Sequence, residues 1–224
     1  QDGYPRSELV HVPNAIDVDR FRPDPDARKS ARDELSISDD TPLIGLFARL
    51  HPMKDHPTFL RAARILADKT PGVRFICAGG TSREYSGYER RTRASATEMG
   101  LDQYVLWHGP RTDPEKLMVA CDITTLASDS GEGFPNSVAE SMACGVPVVA
   151  PRRGSFTELL ERTGGGVLLK SGSVEVLEQA LCDLVGDRDR LIALGRSASE
   201  GIRDRYSTDH MTTRALDVYE RLVR

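Results

Sequence analysis

Two cations five residues apart, Arg49 and Lys54, sit in the segment Ala48-Arg49-Leu50-His51-Pro52-Met53-Lys54-Asp55-His56. An apolar run precedes the segment and a helical pattern follows it, so the pair falls between a strand end and a helix start. Free N–H groups and the dipole of such a helix start favour an anion. Arg49 could grip phosphate in a forked geometry, and Lys54 could supply a compact charge. As residue types alone, the two read more readily as a solvated surface pair, and their loop position brings the two readings level. Two carboxylates eight residues apart, Glu132 and Glu140, lie in Ser128-Asp129-Ser130-Gly131-Glu132-Gly133-Phe134-Pro135-Asn136-Ser137-Val138-Ala139-Glu140. A helix starting near Pro135 or Asn136 leaves Glu132 in the loop and puts Glu140 one turn inside. Gly131 and Gly133 permit a ligand to approach the backbone closely. The amides of residues 134–137 then form a helix N-terminus able to meet phosphate or sugar oxygens. Two glutamates at this spacing read by themselves as unrelated surface carboxylates. Gly-Glu-Gly-Phe-Pro running into a helix is the more informative signal.

Other chemistries lack their patterns. Gly79-Gly80-Thr81-Ser82-Arg83-Glu84 is not G-x-G-x-x-G, although it could approach a phosphate or a sugar. His51, His56 and His108 form neither H-x-x-x-H nor H-E-x-x-H, so a zinc site is not expected. Ser130, Ser137 and Ser155 lie in no G-x-S-x-G, and no P-loop occurs. The four cysteines, Cys77, Cys121, Cys144 and Cys182, contain no C-x-x-C and sit in apolar stretches, which reads as buried reduced thiols.

The elements that must position these residues alternate between strands and helices. Continuous apolar runs mark six strands: Leu43-Ile44-Gly45-Leu46-Phe47-Ala48, Val73-Arg74-Phe75-Ile76-Cys77-Ala78, Val105-Leu106-Trp107, Asp122-Ile123-Thr124-Thr125-Leu126, Val146-Pro147-Val148-Val149-Ala150 and Gly166-Val167-Leu168-Leu169. Runs without alternation suit strands covered on both faces. Phe59, Ala62, Ala63 and Leu66 follow helical spacing and stop at Pro71-Gly72. Further helical patterns cover residues 84–99, 114–120, 137–144, 156–162, 173–185, 188–205 and 208–224, with a short one at 26–35. The order predicts an α/β fold: a Rossmann-like open parallel six-stranded sheet with helices on both faces. Ligands of such sheets sit at the C-terminal strand ends near the reversal of strand order. Residues 1–40 stand apart, with Leu9-Val10-His11-Val12 reading as a lone strand and Arg22-Pro23-Asp24-Pro25 as a turn.

Composition narrows the class. The chain has 224 residues, 39% apolar and 29% charged, with a formal net charge of −4. These values fit an ordinary globular protein and argue against non-specific nucleic-acid binding. No apolar run reaches the ~18 residues of a spanning helix. Gln1-Asp2-Gly3-Tyr4-Pro5 shows neither a charged n-region nor an apolar h-region, so no secretory signal is visible there.

Taken together, the motifs resemble the C-terminal half of the family 4 glycosyltransferases, retaining nucleotide-sugar enzymes of GT-B fold. Val12-Pro13-Asn14-Ala15-Ile16-Asp17, with Phe21 four residues on, is similar to that family's interdomain hinge. Arg49 to Lys54 matches R-L-x-x-x-K. Glu132-Gly133-Phe134-Pro135-Asn136 with Glu140 matches E-G-F-x-x-x-x-x-E, and Ala143-Cys144-Gly145-Val146-Pro147-Val148 matches the A-x-G-x-P-V tail. Gly154-Ser155-Phe156-Thr157-Glu158 stands where G-G-x-x-E is usual. Ala48, Ser141 and Ser155 replace a Gly, an Ala and a Gly of the family pattern.

The resemblance implies a role for each residue. Arg49 and Lys54 hold the donor pyrophosphate, and Glu132 clamps hydroxyls of the transferred sugar rather than acting as a nucleophile. Glu140 binds the ribose. Gly133, Phe134, Pro135, Asn136 and Ser137 meet sugar and phosphate. Gly109 and Pro110, in the loop His108-Gly109-Pro110-Arg111, lie beside the base. It further implies a hinge and tail of an N-terminal domain at 1–22, a nucleotide-sugar-binding domain at 23–207, and a helix at 208–224 that returns to the N-terminal domain. The expected substrate is a UDP- or GDP-sugar, with no metal and no cofactor. The acceptor is a glycan, a lipid-linked sugar or a small molecule. The expected partner is an N-terminal Rossmann domain, in the same parent chain or as a separate subunit, without which the fragment is inactive. The implied location is cytoplasmic, with peripheral contact at the inner membrane face allowed through that other half. The alternatives are half of a sugar-nucleotide epimerase and a non-catalytic nucleotide-binding subunit.

Overall fold

The computed structural model describes residues 9–128 and 132–223. Gly131, Ser130 and the first eight residues lie outside the described residues. The six apolar runs form β1 (Leu43–Phe47), β2 (Arg74–Ala78), β3 (Val105–His108), β4 (Ile123–Thr125), β5 (Val148–Pro151) and β6 (Gly166–Leu169). They pair in parallel in the order β3-β2-β1-β4-β5-β6. Every residue of β1, β4 and β5 is buried. Cover on both faces explains why these runs carry no polar alternation.

Nine α-helices occur among the described residues: α1 (Pro25–Glu34), α2 (His56–Lys69), α3 (Ser86–Glu98), α4 (Pro114–Ala120), α5 (Asn136–Ala143), α6 (Gly154–Thr163), α7 (Val174–Val185), α8 (Arg188–Tyr206) and α9 (Thr208–Leu222). Helix α2 buries Phe59, Leu60, Ala62, Ala63 and Leu66, the stripe its spacing announces. It packs on α3 and α7, while α4 packs on α1 and α5, and α8 on α5 and α6. The two groups cover opposite faces of the sheet, as right-handed crossovers require. No helix among the described residues is long and apolar enough to cross a membrane.

The expected strand at Leu9-Val10-His11-Val12 does not form. Leu9 and Val10 are 62% and 54% exposed, and no backbone among the described residues completes a ladder there. Among the described residues the first pairing comes at Ile16, whose N–H donates to Tyr206 O at 2.7 Å and which bridges Ser207. Ile16 and Phe21 are buried in the core. Cys77, Cys121 and Cys144 are buried free thiols and Cys182 is half-buried. Burial pushes the Cys144 thiol up to about 12.

A charged knot ties α1 to the lower edge of the sheet. Asp122, just before β4, accepts the Leu43 N–H at 2.8 Å and an Arg28 N–H at 2.5 Å. Arg32 is 1% exposed. It donates to Ala120 O at 2.7 Å, to Ser38 O at 2.6 Å and to Thr41 O, with Asp122 Oδ2 3.5 Å away. Arg28 adds bonds to the carbonyls of Val119, Ala120 and Cys121. Two guanidinium groups thus satisfy carbonyls left open at the C-terminal end of α4, where cations are favoured.

His56, the first residue of α2, is wholly buried, and neither ring nitrogen has a hydrogen-bond partner among the described residues. Burial, reinforced by the Lys54 charge, lowers its pKa from 6.5 to about 4. The ring is neutral in the folded chain at neutral pH. Between pH 6.5 and about 4 the unfolded chain binds the extra proton, so stability falls as pH drops through that window. The expected loss is about 3 kcal/mol across it. Guanidinium denaturation at about pH 7 and about pH 5 checks this, with His56→Leu showing the shallower pH dependence. Equal dependence in the two proteins would contradict it.

Candidate functional site

Strand order reverses between β1 and β4, so their C-terminal ends open a crevice. The loop after β1 rides over the loop after β2. Ala48 N–H donates to Ala78 O at 3.0 Å and Leu50 N–H to Gly80 O at 2.8 Å. A Cβ at Gly79 would lie 1.9 Å from Ala48 O, so only glycine permits that crossing. His51 then accepts the Met53 N–H at 3.1 Å and opens a tight turn, Pro52–Lys54. Asp55 closes the turn at φ 46° and caps α2 by accepting from Thr58 N–H. A left-handed backbone at a non-glycine residue is held here by that capping bond.

This turn delivers Lys54 to Glu132, on the loop after β4. Lys54 Nζ lies 2.5 Å from Glu132 Oε1, with the two side chains 14% and 10% exposed. Ser128 Oγ donates to the same oxygen at 2.7 Å. Ser155, in the first turn of α6, donates to the Glu132 carbonyl at 2.7 Å. Arg49 is exposed one residue beyond the β1 loop's start and makes no hydrogen bond or ion pair among the described residues.

Helix α5 begins at Asn136, directly after buried Pro135. Phe134 is half-buried, with its ring centroid 5.8 Å from that of Tyr206. Pro135 has no N–H, and Asn136 N–H donates to Phe134 O at 3.0 Å. The amides of Gly133, Phe134 and Ser137 therefore remain without a backbone acceptor among the described residues. These N–H groups, with the helix dipole, make an anion-favouring end.

Glu140 lies one turn further in. It faces a cavity of about 430 Å³ shared with Asn14 and Asp17 of the N-terminal segment, Asn136 of α5, and Thr208 and Met211 of α9. Burial raises the Glu140 pKa above the usual carboxylate range, the Arg20 charge offsets part of that, and Glu115 adds to it. Asn14 donates to Asn136 Oδ1 at 3.3 Å. Arg20 donates to Glu115 Oε2 at 2.7 Å and to Thr112 O at 2.6 Å, binding the N-terminal segment to the start of α4.

The structure thus gathers Lys54 and Glu132 at one point and Asn136 and Glu140 at a second. Gly133, Phe134, Pro135 and Ser137 form the stretch between them. Gly109 and Pro110 are exposed, with Pro110 beside Gly80 of the β2 loop; neither lines the Glu140 cavity. Sequence reasoning missed Ser128 and Arg20. A lone serine four residues before a glutamate carries no signature, and Arg20 belongs to none of the motifs. Among the described residues no group of three or more His, Cys, Asp or Glu could hold a metal ion.

Comparison with known proteins agrees with this architecture. Residues 27–200 match the family described as Glycosyl transferases group 1. A D-inositol 3-phosphate glycosyltransferase of Corynebacterium jeikeium is 34% identical over 192 residues, 84% of this chain and 46% of the relative. A GDP-mannose-dependent alpha-(1-6)-phosphatidylinositol monomannoside mannosyltransferase of Mycobacterium tuberculosis is 26% identical over 95% of this chain and 56% of its own length. The chain spans about half the length of the curated relatives it matches. The crystal structure of Anabaena HepE in complex with UDP superposes with a TM-score of 0.87 at 26% identity, over 97% of this chain and 58% of that one. The sheet and its helices are the Rossmann-like half of a GT-B fold. With the family match covering most of its length, the chain belongs to the group 1 glycosyl transferases.

Proposed function

We propose that this chain is the donor-binding half of a retaining glycosyltransferase that moves a sugar from a nucleoside diphosphate to an acceptor. The observation that carries this reading is the meeting of Lys54 and Glu132 at the β1–β4 crevice beside the open amides of α5. Breaking a glycosyl–phosphate bond loads negative charge onto the leaving diphosphate. Fixed cations and helix amides stabilise that charge. Arg49 and Lys54 take the diphosphate oxygens, with the Gly133, Phe134 and Ser137 amides. Glu140, in its cavity beside Asn14 and Asn136, accepts the ribose hydroxyls and so orients the nucleotide. Glu132 accepts hydroxyls of the sugar, and Gly109 and Pro110 border the base.

The named relatives and the UDP complex support a UDP- or GDP-linked donor. A second domain completes the enzyme, and the exposed apolar side chains of α9, Leu216, Tyr219 and Leu222, are suited to pack against it. The chain by itself binds nucleotide and transfers no sugar. Calorimetric titration of the folded chain with UDP, GDP and ADP tests this reading. Saturable heat with at least one of them is expected, and no heat with any would overturn it.

A further inference from the structure

Lys54 and Glu132 neutralise each other across two loops, 2.5 Å apart and largely withdrawn from water. A pair placed so is screened less than one on the open surface. Glu132 does not depend on Lys54 alone. Ser128, 1% exposed, donates to the same Oε1 at 2.7 Å. Ser155 holds the Glu132 backbone separately, through its carbonyl. Of these three anchors, only the ammonium carries a positive charge for an incoming anion to recruit.

We propose that Glu132 is an internal counter-anion that the donor diphosphate displaces from Lys54, and that Ser128 is the positioning residue that keeps the freed carboxylate in the crevice. This rests on the donor-site reading above. A diphosphate carries more charge than one carboxylate and also meets the α5 amides, so it wins the ammonium. The exchange leaves Glu132 close to a second anion, which is unfavourable. Sugar hydroxyls relieve that cost by donating to the carboxylate, and a free nucleoside diphosphate has none to offer. Glu132 therefore discriminates: it opposes the bare diphosphate and favours the sugar-linked one. After transfer the product lacks its sugar, and Glu132 reclaims Lys54 as the diphosphate departs.

The test is calorimetric titration of the chain with UDP and UDP-glucose, and with GDP and GDP-mannose. For the base that binds, Glu132→Gln is expected to tighten the bare diphosphate about tenfold, because Lys54 is released and a negative neighbour is gone. The same variant lowers the ratio of sugar-nucleotide to diphosphate affinity. Ser128→Ala is expected to lower that ratio about fivefold while moving diphosphate affinity by less than about threefold. The ratio compares two ligands on one protein, so a general loss of stability leaves it unmoved. If Glu132→Gln does not fold, Glu132→Asp, whose carboxylate is drawn back from Lys54, is expected to show the tightening in smaller measure. Weaker or unchanged diphosphate binding in the Glu132 variant overturns the exchange, and an unchanged ratio in Ser128→Ala overturns the role of Ser128. In either case the wild-type titration still reports whether the donor site exists. No binding of any nucleotide to the wild type overturns both readings.

Discussion

Lys54→Ala is expected to weaken binding of UDP or GDP to the chain about 10- to 100-fold, equivalent to ~1.5–3 kcal/mol. The size follows from the type of contact. An ammonium donating to a phosphate oxygen makes a charge-assisted bond, stronger than a neutral one. Lys54 is 14% exposed, so water screens it little. Its present bond to Glu132 sets a discount, since the diphosphate must replace that partner before it gains. Arg49→Ala belongs at the lower end of the range, because Arg49 is exposed and better screened. Titration of each variant beside the wild type, with a thermal melt to confirm folding, gives the comparison. Unchanged affinity in both variants would refute the roles assigned to them.

Asp122→Ala is expected to destabilise the fold by ~3–5 kcal/mol. The carboxylate holds three things at once: the Leu43 N–H that starts β1, the Arg28 guanidinium, and the buried Arg32 guanidinium beside it. Removing it leaves a 1% exposed cation with only the exposed Asp39 carboxylate, 4.0 Å away, and a strand amide without its acceptor. Truncating one partner of a buried pair costs more than the pair contributes, because the remaining charge stays desolvated. The exposed pair Arg152–Glu161 is the contrast: both side chains are more than half exposed, and Glu161→Ala belongs within ~1 kcal/mol. Guanidinium denaturation of the two variants measures both. A loss at Asp122 no larger than at Glu161 would contradict the role of the knot.

Strand runs such as Leu43–Phe47 are legible because both faces are covered, so hydrophobicity alone marks them. Edges of elements follow local chemistry that a pattern does not display. Asp122 reads as part of a strand, but its carboxylate turns to Arg28 and the Leu43 N–H, and β4 begins at Ile123. Helix α3 begins at Ser86, not Glu84, because residues 83–85 wind as a tighter turn and neither Ser82 nor Tyr85 supplies a capping side chain. Leu9-Val10-His11-Val12 has the composition of a strand and, among the described residues, no strand to pair with. In the site, loop position draws attention to Arg49 and Lys54, and Gly-Glu-Gly-Phe-Pro running into a helix draws it to the loop after β4, but Glu132 and Glu140 take their roles only from the family resemblance. The ion pair between Lys54 and Glu132 joins residues 78 apart and depends on strand order, which periodicity does not reveal. The grip of Ser128 on Glu132 is likewise a product of the fold.

A diphosphate is expected to bind where the β1 loop faces the start of α5. A crystal structure of the chain with UDP or GDP measures this directly. The diphosphate oxygens are expected within about 3 Å of Lys54 Nζ and of at least one amide among Gly133, Phe134 and Ser137, with Arg49 turned inward. A second cavity of about 430 Å³ lies at the opposite, N-terminal edge of the strands, lined by Arg28, Pro42, Asp122 and Arg188. A diphosphate seated there, or anywhere out of reach of Arg49 and Lys54, would overturn the assignment of the donor site to the β1–β4 crevice.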